Sequence, residues 1–402
     1  MDVNTLIIIA LFILLVSIWL TSGKSTKKQL PGPIGLPIVG YIPFMTKKPY
    51  VKLAELSKTY GPLYKVRLGS IDIIVITDFE IMKEAFSKDA FMGRPPDLPF
   101  ELSQETISTG AFNDIPWKEQ RRFSLHMLRD LGFGKTKMEE HIKVNIHSLY
   151  ISRDISEEMK KHEETLDPNN VRDFIDGYLL EIQKRSNDPN TTFRREVLAD
   201  LARAFFAAGS DTVRVTVDWM LLVSAAYPQV QKRIQAEIDE VIGPDRFPTW
   251  QDRLSMPFTE AAIIELMRWR TIVPLNIMRY TLQDTELNGY YIPKHSRVLS
   301  VMWAVDNDTK LWGNDVEEYK PERMLSKDGK KVVKPEYAIP FSIGKRSCPG
   351  KSFAEIEVFL YLVAILQKFE VSTPPGKTVD LEADLGISLQ PRRQDLCLKL
   401  RH

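Results

Sequence analysis

Ten residues near the C-terminus, 341–350, hold the chain's most chemically loaded side chain, Cys348, with Lys345 and Arg346 just before it and Pro349 and Gly350 just after. A thiolate is both a nucleophile and a soft metal ligand, and it forms most readily beside cations or at a helix start. This stretch offers both, because an apolar run with helical spacing, 353–369, follows the sulfur. Gly344 and Gly350 are expected to supply left-handed conformations or a close backbone approach. Pro349 suits the first turn of the helix. The spacing therefore predicts a tight loop that presents a metal-binding sulfur to a flat ligand.

Three further constellations lie upstream. Asp211 and Thr212 end the run Ala208-Gly-Ser-Asp-Thr212 inside an apolar helical pattern, 196–226. Small and hydroxylated residues in mid-helix weaken local backbone bonding and admit water or ligand, and an acid beside an alcohol can relay protons. Helix packing through small residues is the plainer account of the same run. Glu265 and Arg268 stand one turn apart on a helix that is apolar nearly all round, so they form a pair that must gain further hydrogen bonds if buried. Trp117 and Arg121 are also one turn apart, and their N–H groups suit a carboxylate.

The pattern F-x-x-G-x-R-x-C-x-G of residues 341–350 resembles the haem-binding loop of the cytochromes P450, and the other motifs occur in that family's order. The resemblance spans nearly the whole chain and points to the microsomal, family 2-like group. It implies a mainly α fold with a small β region. It also implies haem (iron protoporphyrin IX) with Cys348 as the axial thiolate, and Asp211 and Thr212 as the pair that delivers protons to dioxygen. Val213 stands where many relatives have a second threonine. By the same resemblance Trp117, Arg121, Arg94, Arg279 and Arg346 face the haem propionates, and Glu265, Arg268 and Arg323 form a buried network supporting the cysteine loop. Met324 replaces that network's usual aromatic neighbour. The implied activity is a monooxygenase that inserts one oxygen atom from O2 into a lipophilic small molecule. Its implied partners are NADPH-cytochrome P450 reductase, docking near Lys345 and Lys351, and cytochrome b5. A haem-thiolate isomerase or dehydratase and a non-catalytic relative are the alternatives.

The elements that must position these residues follow from the rest of the 402-residue chain. A net charge of +1 gives no case for a nucleic-acid partner. The two cysteines lie 49 positions apart, which suits a reducing compartment. Cys397, in an alternating strand-like segment, reads as a small core residue. Residues 3–20 are apolar and uncharged; as a helix they would span ~27 Å against a bilayer core of ~30 Å. Asp2 precedes them, and Lys24, Lys27 and Lys28 follow. The expectation is an anchor over 1–23, a basic and proline-rich hinge over 24–40, and a catalytic domain over 41–402 facing the cytoplasm from the endoplasmic reticulum membrane. Within that domain helices are expected at 51–60, 79–86, 196–226, 229–242, 258–270 and 353–369, with strands near 60–69 and 71–77. By resemblance, substrate contacts fall before Trp117, near 205–212, over 272–278 and in the turn at 386–388. These stretches include Phe100, Phe112, Phe205, Phe206, Leu275, Ile277 and Ile387, hence the lipophilic substrate.

One interval departs from the family. Only 95 positions separate Trp117 from Thr212, about half the length implied by the resemblance. The expectation is an internal deletion near 143–161, removing part of the helices between the Trp117 helix and the Asp211 helix. Met138, Ile142, Ile146, Leu149, Ile155 and Met159 keep helical spacing across the junction, which predicts a fused helix there. Losing several buried side chains at ~1.5–3 kcal/mol each would rival a domain's margin of ~5–15 kcal/mol. A poorly folded, non-catalytic variant is therefore the other expectation.

Overall fold

The computed structural model describes residues 28–96, 113–132 and 155–402, together with Asp2 and Thr5. The anchor, most of the junction, Phe100 and Phe112 lie outside the described residues. Contacts divide the chain into two compact units, Met1–Pro95 with Leu275–Val305, and Pro96–Pro274 with Asp306–His402.

The first unit opens with α1 (Pro49–Tyr60), β1 (Leu63–Leu68), β2 (Ile71–Ile76) and α2 (Phe79–Ser87), within three residues of the expected bounds. The chain returns to it as β3 (Arg279–Tyr280), β4 (Thr285–Leu287), β5 (Tyr290–Ile292) and β6 (Arg297–Ser300). One sheet runs in the order β1-β2-β6-β3, with β2 antiparallel to β1 and parallel to β6. In β2, Ile73, Ile74, Val75 and Ile76 are all buried rather than alternating, so both faces of this strand are covered. Asp78 starts α2 by accepting the Ile81 N–H. Gly93 bridges Tyr280 so closely that a Cβ there would stand 2.5 Å from the Tyr280 carbonyl.

The second unit is mostly helical: α3 (Asp114–Asp130), α4 (Ile155–Glu164), α5 (Phe174–Lys184), α6 (Arg195–Ala226), α7 (Pro228–Val241) and α8 (Pro257–Arg270). The short α9 (Met302–Asp306) carries the chain back into it, followed by α10 (Thr309–Trp312) and α11 (Lys351–Lys368). Two ribbons complete it: β7 (Phe369–Ser372) with β10 (Cys397–Leu400), and β8 (Ala383–Leu385) with β9 (Leu389–Pro391). The main core packs the C-terminal half of α6 against α7, α8 and α11 through Trp219, Val223, Ile234, Leu266, Phe359 and Val363.

A smaller aromatic cluster holds the Trp117 helix. Phe123 on α3 meets Tyr178 of α5 and Phe193 edge-on, with centroids 5.4 and 5.1 Å away. Tyr178 donates its hydroxyl to Gln120 Oε1 (2.7 Å), and Gln120 Nε2 donates to the Thr192 carbonyl (3.1 Å). At Gly177 a Cβ would meet the end of the Met127 side chain, which packs α3 against α5 there.

The structure is thus mainly α with small sheets, as expected. Cys397 is a correction: it is exposed, as is every residue of β10. Its alternating sequence has no core on either face. Among the described residues no helix is long and apolar enough to cross a membrane.

Candidate functional site

The cysteine loop is built by its own backbone. Ser342 N–H donates to Ile339 O (2.8 Å), Ser347 N–H to Gly344 O (3.0 Å) and Cys348 N–H to Phe341 O (2.9 Å). Two left-handed residues make these turns possible, Gly344 (φ 75°) as expected and Ser342 (φ 59°), which the sequence did not suggest. Gly350 corrects the expectation for the second glycine. It caps α11 with an ordinary φ of −89°, and a Cβ there would lie 3.9 Å from Cys348 Sγ. That distance is an ordinary van der Waals contact. Pro349 lies before that cap and not in the first turn.

Cys348 is solvent-exposed, yet the protein packed around it is the largest influence on its thiol and pushes the pKa up. The Gly350 N–H and the Arg121 charge pull the other way. The cations expected to favour the thiolate were Lys345 and Arg346; the structure gives that part to Arg121. Arg121 Nη2 donates to the Ser347 carbonyl (2.7 Å), and burial draws its own pKa down while Cys348 opposes the change. Arg346 is buried with its guanidinium 3.5 Å from the centre of the Trp117 ring. Trp117, Arg121, Arg346 and Cys348 therefore come together in the second unit. Arg94 and Arg279 belong to the first. The Gly93–Tyr280 bridge sets them on adjoining backbone, where Arg94 Nη1 donates to the carbonyls of Ile277 (2.8 Å) and Met278 (2.6 Å). Arg279 is 1% exposed, with its guanidinium over Phe86.

Asp211 and Thr212 lie mid-way along α6. Thr212 Oγ1 donates to the Ala208 carbonyl one turn back (2.8 Å), the local bond that mid-helix threonines favour. Asp211 Oδ1 accepts from Arg214 (2.9 Å), and Oδ2 accepts from the Ser388 hydroxyl (2.6 Å). Sequence reasoning had placed Ser388 only within a general substrate-contact turn. Nothing local could have paired it with a carboxylate 177 positions away.

Glu265, Arg268 and Arg323 also meet. Arg268 grips Glu265 with two bonds (2.8 and 2.7 Å), and Arg323 Nε donates to the same carboxylate (3.3 Å). The remaining arginine donors are satisfied by backbone: Arg268 by Asp306, Val316 and Glu318 carbonyls, Arg323 by Trp312 and Asp315 carbonyls and by the Asp315 carboxylate. This meets the condition for a buried ion pair to be tolerated. Arg323 and Lys320 hold Asp315 well below the usual carboxylate range. Asp306, fully buried beside Thr271 and Arg268, is pushed up to about 8 by burial. The sequence gave no hint of Asp306.

Comparison with known proteins places this geometry. The family model for cytochrome P450 matches residues 30–154 and 150–398. The chain belongs to the cytochrome P450 family. This P450 is 30% identical to cytochrome P450 18a1 of Drosophila melanogaster over 484 aligned positions, covering 95% of the chain and 89% of the relative. It is 29% identical to cytochrome P450 2J5 of Mus musculus over 487 positions (99% and 96%) and 29% to cytochrome P450 2C23 of Rattus norvegicus over 475 (96% and 96%). Each alignment runs longer than the chain's own 402 residues.

Family membership makes this P450 an oxidoreductase of the haem monooxygenase family, whose haem iron is ligated by a thiolate. Its residues fit that group. An exposed, unpaired cysteine can take the iron, and buried or half-buried guanidinium groups together with an indole N–H can take two carboxylates. A second cluster with metal-ligand atoms, His162, Asp173 and Asp176, is a different object. Arg172 covers both Asp176 oxygens (2.6 and 2.7 Å), and His162 Nδ1 lies 2.7 Å from one of them. It is an ion-pair clasp joining α4 to α5.

Proposed function

We propose that this P450 is a haem-thiolate monooxygenase with Cys348 as axial ligand, acting on a lipophilic small molecule with electrons from NADPH through a membrane-bound reductase. The observation that carries the proposal is the Cys348 loop, whose exposed cysteine lies beside Arg121, itself bonded to the Ser347 carbonyl, and Arg346, stacked on Trp117. Bound to a thiolate, haem supplies reduction of dioxygen and cleavage of its O–O bond. The chain's own residues do the rest. Arg121, Arg346 and Trp117 would hold the propionates, and Arg94 and Arg279 are assigned the same role by the family resemblance alone. Gly350 N–H donates toward the sulfur and moderates its charge. Asp211 and Thr212 are the acid and alcohol that would pass protons towards bound dioxygen, with the Thr212 hydroxyl hydrogen directed at the Ala208 carbonyl. Glu265, Arg268 and Arg323 are structural, fixing the segment that leads to the loop. Lys345 and Lys351, both exposed, offer the reductase positive charge beside the cysteine. Residues 1–23 anchor the chain in the endoplasmic reticulum membrane.

Reconstitution with reductase and NADPH tests this. Oxygenated product from an apolar substrate panel, lost in Cys348→Ser and dependent on reductase, is the expected result. Turnover without reductase would favour the isomerase or dehydratase instead.

One observation favours a shortened, non-catalytic variant. The family model matches in two pieces that meet at residues 150–154, and the alignments with relatives exceed the chain's length. Both fit an internal deletion near 143–161. Haem incorporation without product, under conditions where a chain with the interval restored turns over, would establish that variant.

A further inference from the structure

We propose that Ser388 is a positioning residue for Asp211, an inference that rests on Asp211 being the proton-handling acid. Ser388 is fully buried, and its hydroxyl donates to Asp211 Oδ2 at 2.6 Å, the length of a charge-assisted O–H···O⁻ bond. The other carboxylate oxygen has a looser partner. Arg214 is half-exposed, divides its guanidinium between Asp211 (2.9 Å) and Asp218 (2.7 Å), and belongs to α6 itself. A long, solvated, shared side chain constrains a carboxylate weakly. A short, buried one on a different element constrains it strongly.

Ser388 is itself fixed. It sits in the turn between β8 and β9, where Gly386 N–H donates to the Ser388 carbonyl (3.0 Å). The next residue, Leu389, donates its N–H to Ile272 O just after α8 (2.8 Å), and its carbonyl accepts the Trp219 indole N–H (2.8 Å). The turn is thus fastened to α6 at two places, Asp211 and Trp219, and to the end of α8. Through Ser388 this rigid turn sets the direction of the Asp211 carboxyl relative to Thr212. Without it the carboxyl is free to rotate, and the acid and the alcohol no longer share a fixed register.

Two measurements test this. Thermal unfolding of the full chain as S388A, D211A and the double variant reads the bond without any turnover. Each single change is expected to lower the midpoint by about 2–5 °C, and the double change by little more than the larger single one. Additive shifts would show that the two residues are not coupled and would overturn the proposal. In the reductase-supported holoenzyme, S388A is expected to give about threefold less product per NADPH, with hydrogen peroxide making up the difference, while S388T, which keeps the hydroxyl, restores the parent ratio. If D211N leaves that ratio unchanged, the assignment of Asp211 fails and takes this inference with it. If D211N lowers the ratio and S388A does not, the positioning role of Ser388 alone is wrong.

Discussion

Glu265 lies fully buried beneath two arginine side chains, whereas six of the eight residues from 203 to 210 on α6 are exposed, Phe206 among them at 62%. The contrast also runs along a single helix. Past Thr212, α6 buries Val213, Val215, Trp219, Met220 and Val223 in the main core. The half of the molecule that would support the sulfur is closed by its own hydrogen bonds. The half that would face oxygen and substrate borrows its order from the far end of α6 and from a turn 177 residues away. Asp211 and Thr212 sit at the boundary between the two.

The largest effects should fall on the closed side. Glu265→Ala leaves Arg268 buried without its counter-charge and should destabilise by ~3–5 kcal/mol, read as a collapse of the denaturant midpoint together with haem content. Trp219→Ala, in the buried half of α6, removes a fully buried indole and should cost about 3–5 kcal/mol. A shift below about 1 kcal/mol in either would erase the distinction between the two regions.

Asp306 gives an intermediate effect with a defined sign. Its neighbours are Thr271, Arg268, Glu265 and Lys334, and its pKa is raised from 3.8 to about 8. The folded chain therefore keeps a proton that the unfolded chain has already released at neutral pH. The associated stability is complete below about pH 4, falls as pH rises, and levels off above about pH 8. Asp306→Asn should remove this slope. It should match the parent near pH 4 and exceed it by about 1–3 kcal/mol at pH 8, measured by urea unfolding across pH. A constant difference across that range would mean that Asp306 is ionised in the folded chain. The smallest effect belongs to the open side: Phe206→Ala should change stability by no more than about 0.5 kcal/mol, and a larger loss would show that residues 203–210 are covered in solution.

Much of the closed side was legible in the sequence, because its partners are close together or carried by motifs. Glu265 and Arg268 share one helix turn, Trp117 and Arg121 another, and the apolar periodicities of α6, α7, α8 and α11 gave their bounds to within two residues. What was not legible depends on long-range placement. Asp306 acquires its character only by burial beside Thr271, 35 positions away, and Ser388 only by meeting Asp211. Cys397 shows the converse failure, since its alternating pattern promised a core that β10, exposed at every residue, does not have. The left-handed Ser342 was missed because glycine is the residue one looks for at such a turn, and Gly350 was over-interpreted for the same reason.

The central claim is that this chain carries a thiolate haem site built on Cys348. The difference spectrum of the reduced, carbon monoxide-bound protein, recorded for the full chain beside Cys348→Ser, tests it most directly. The account predicts the Soret band typical of thiolate-ligated haem in the parent and its loss in the variant. A parent without that band, or a variant that retains it, would contradict the account.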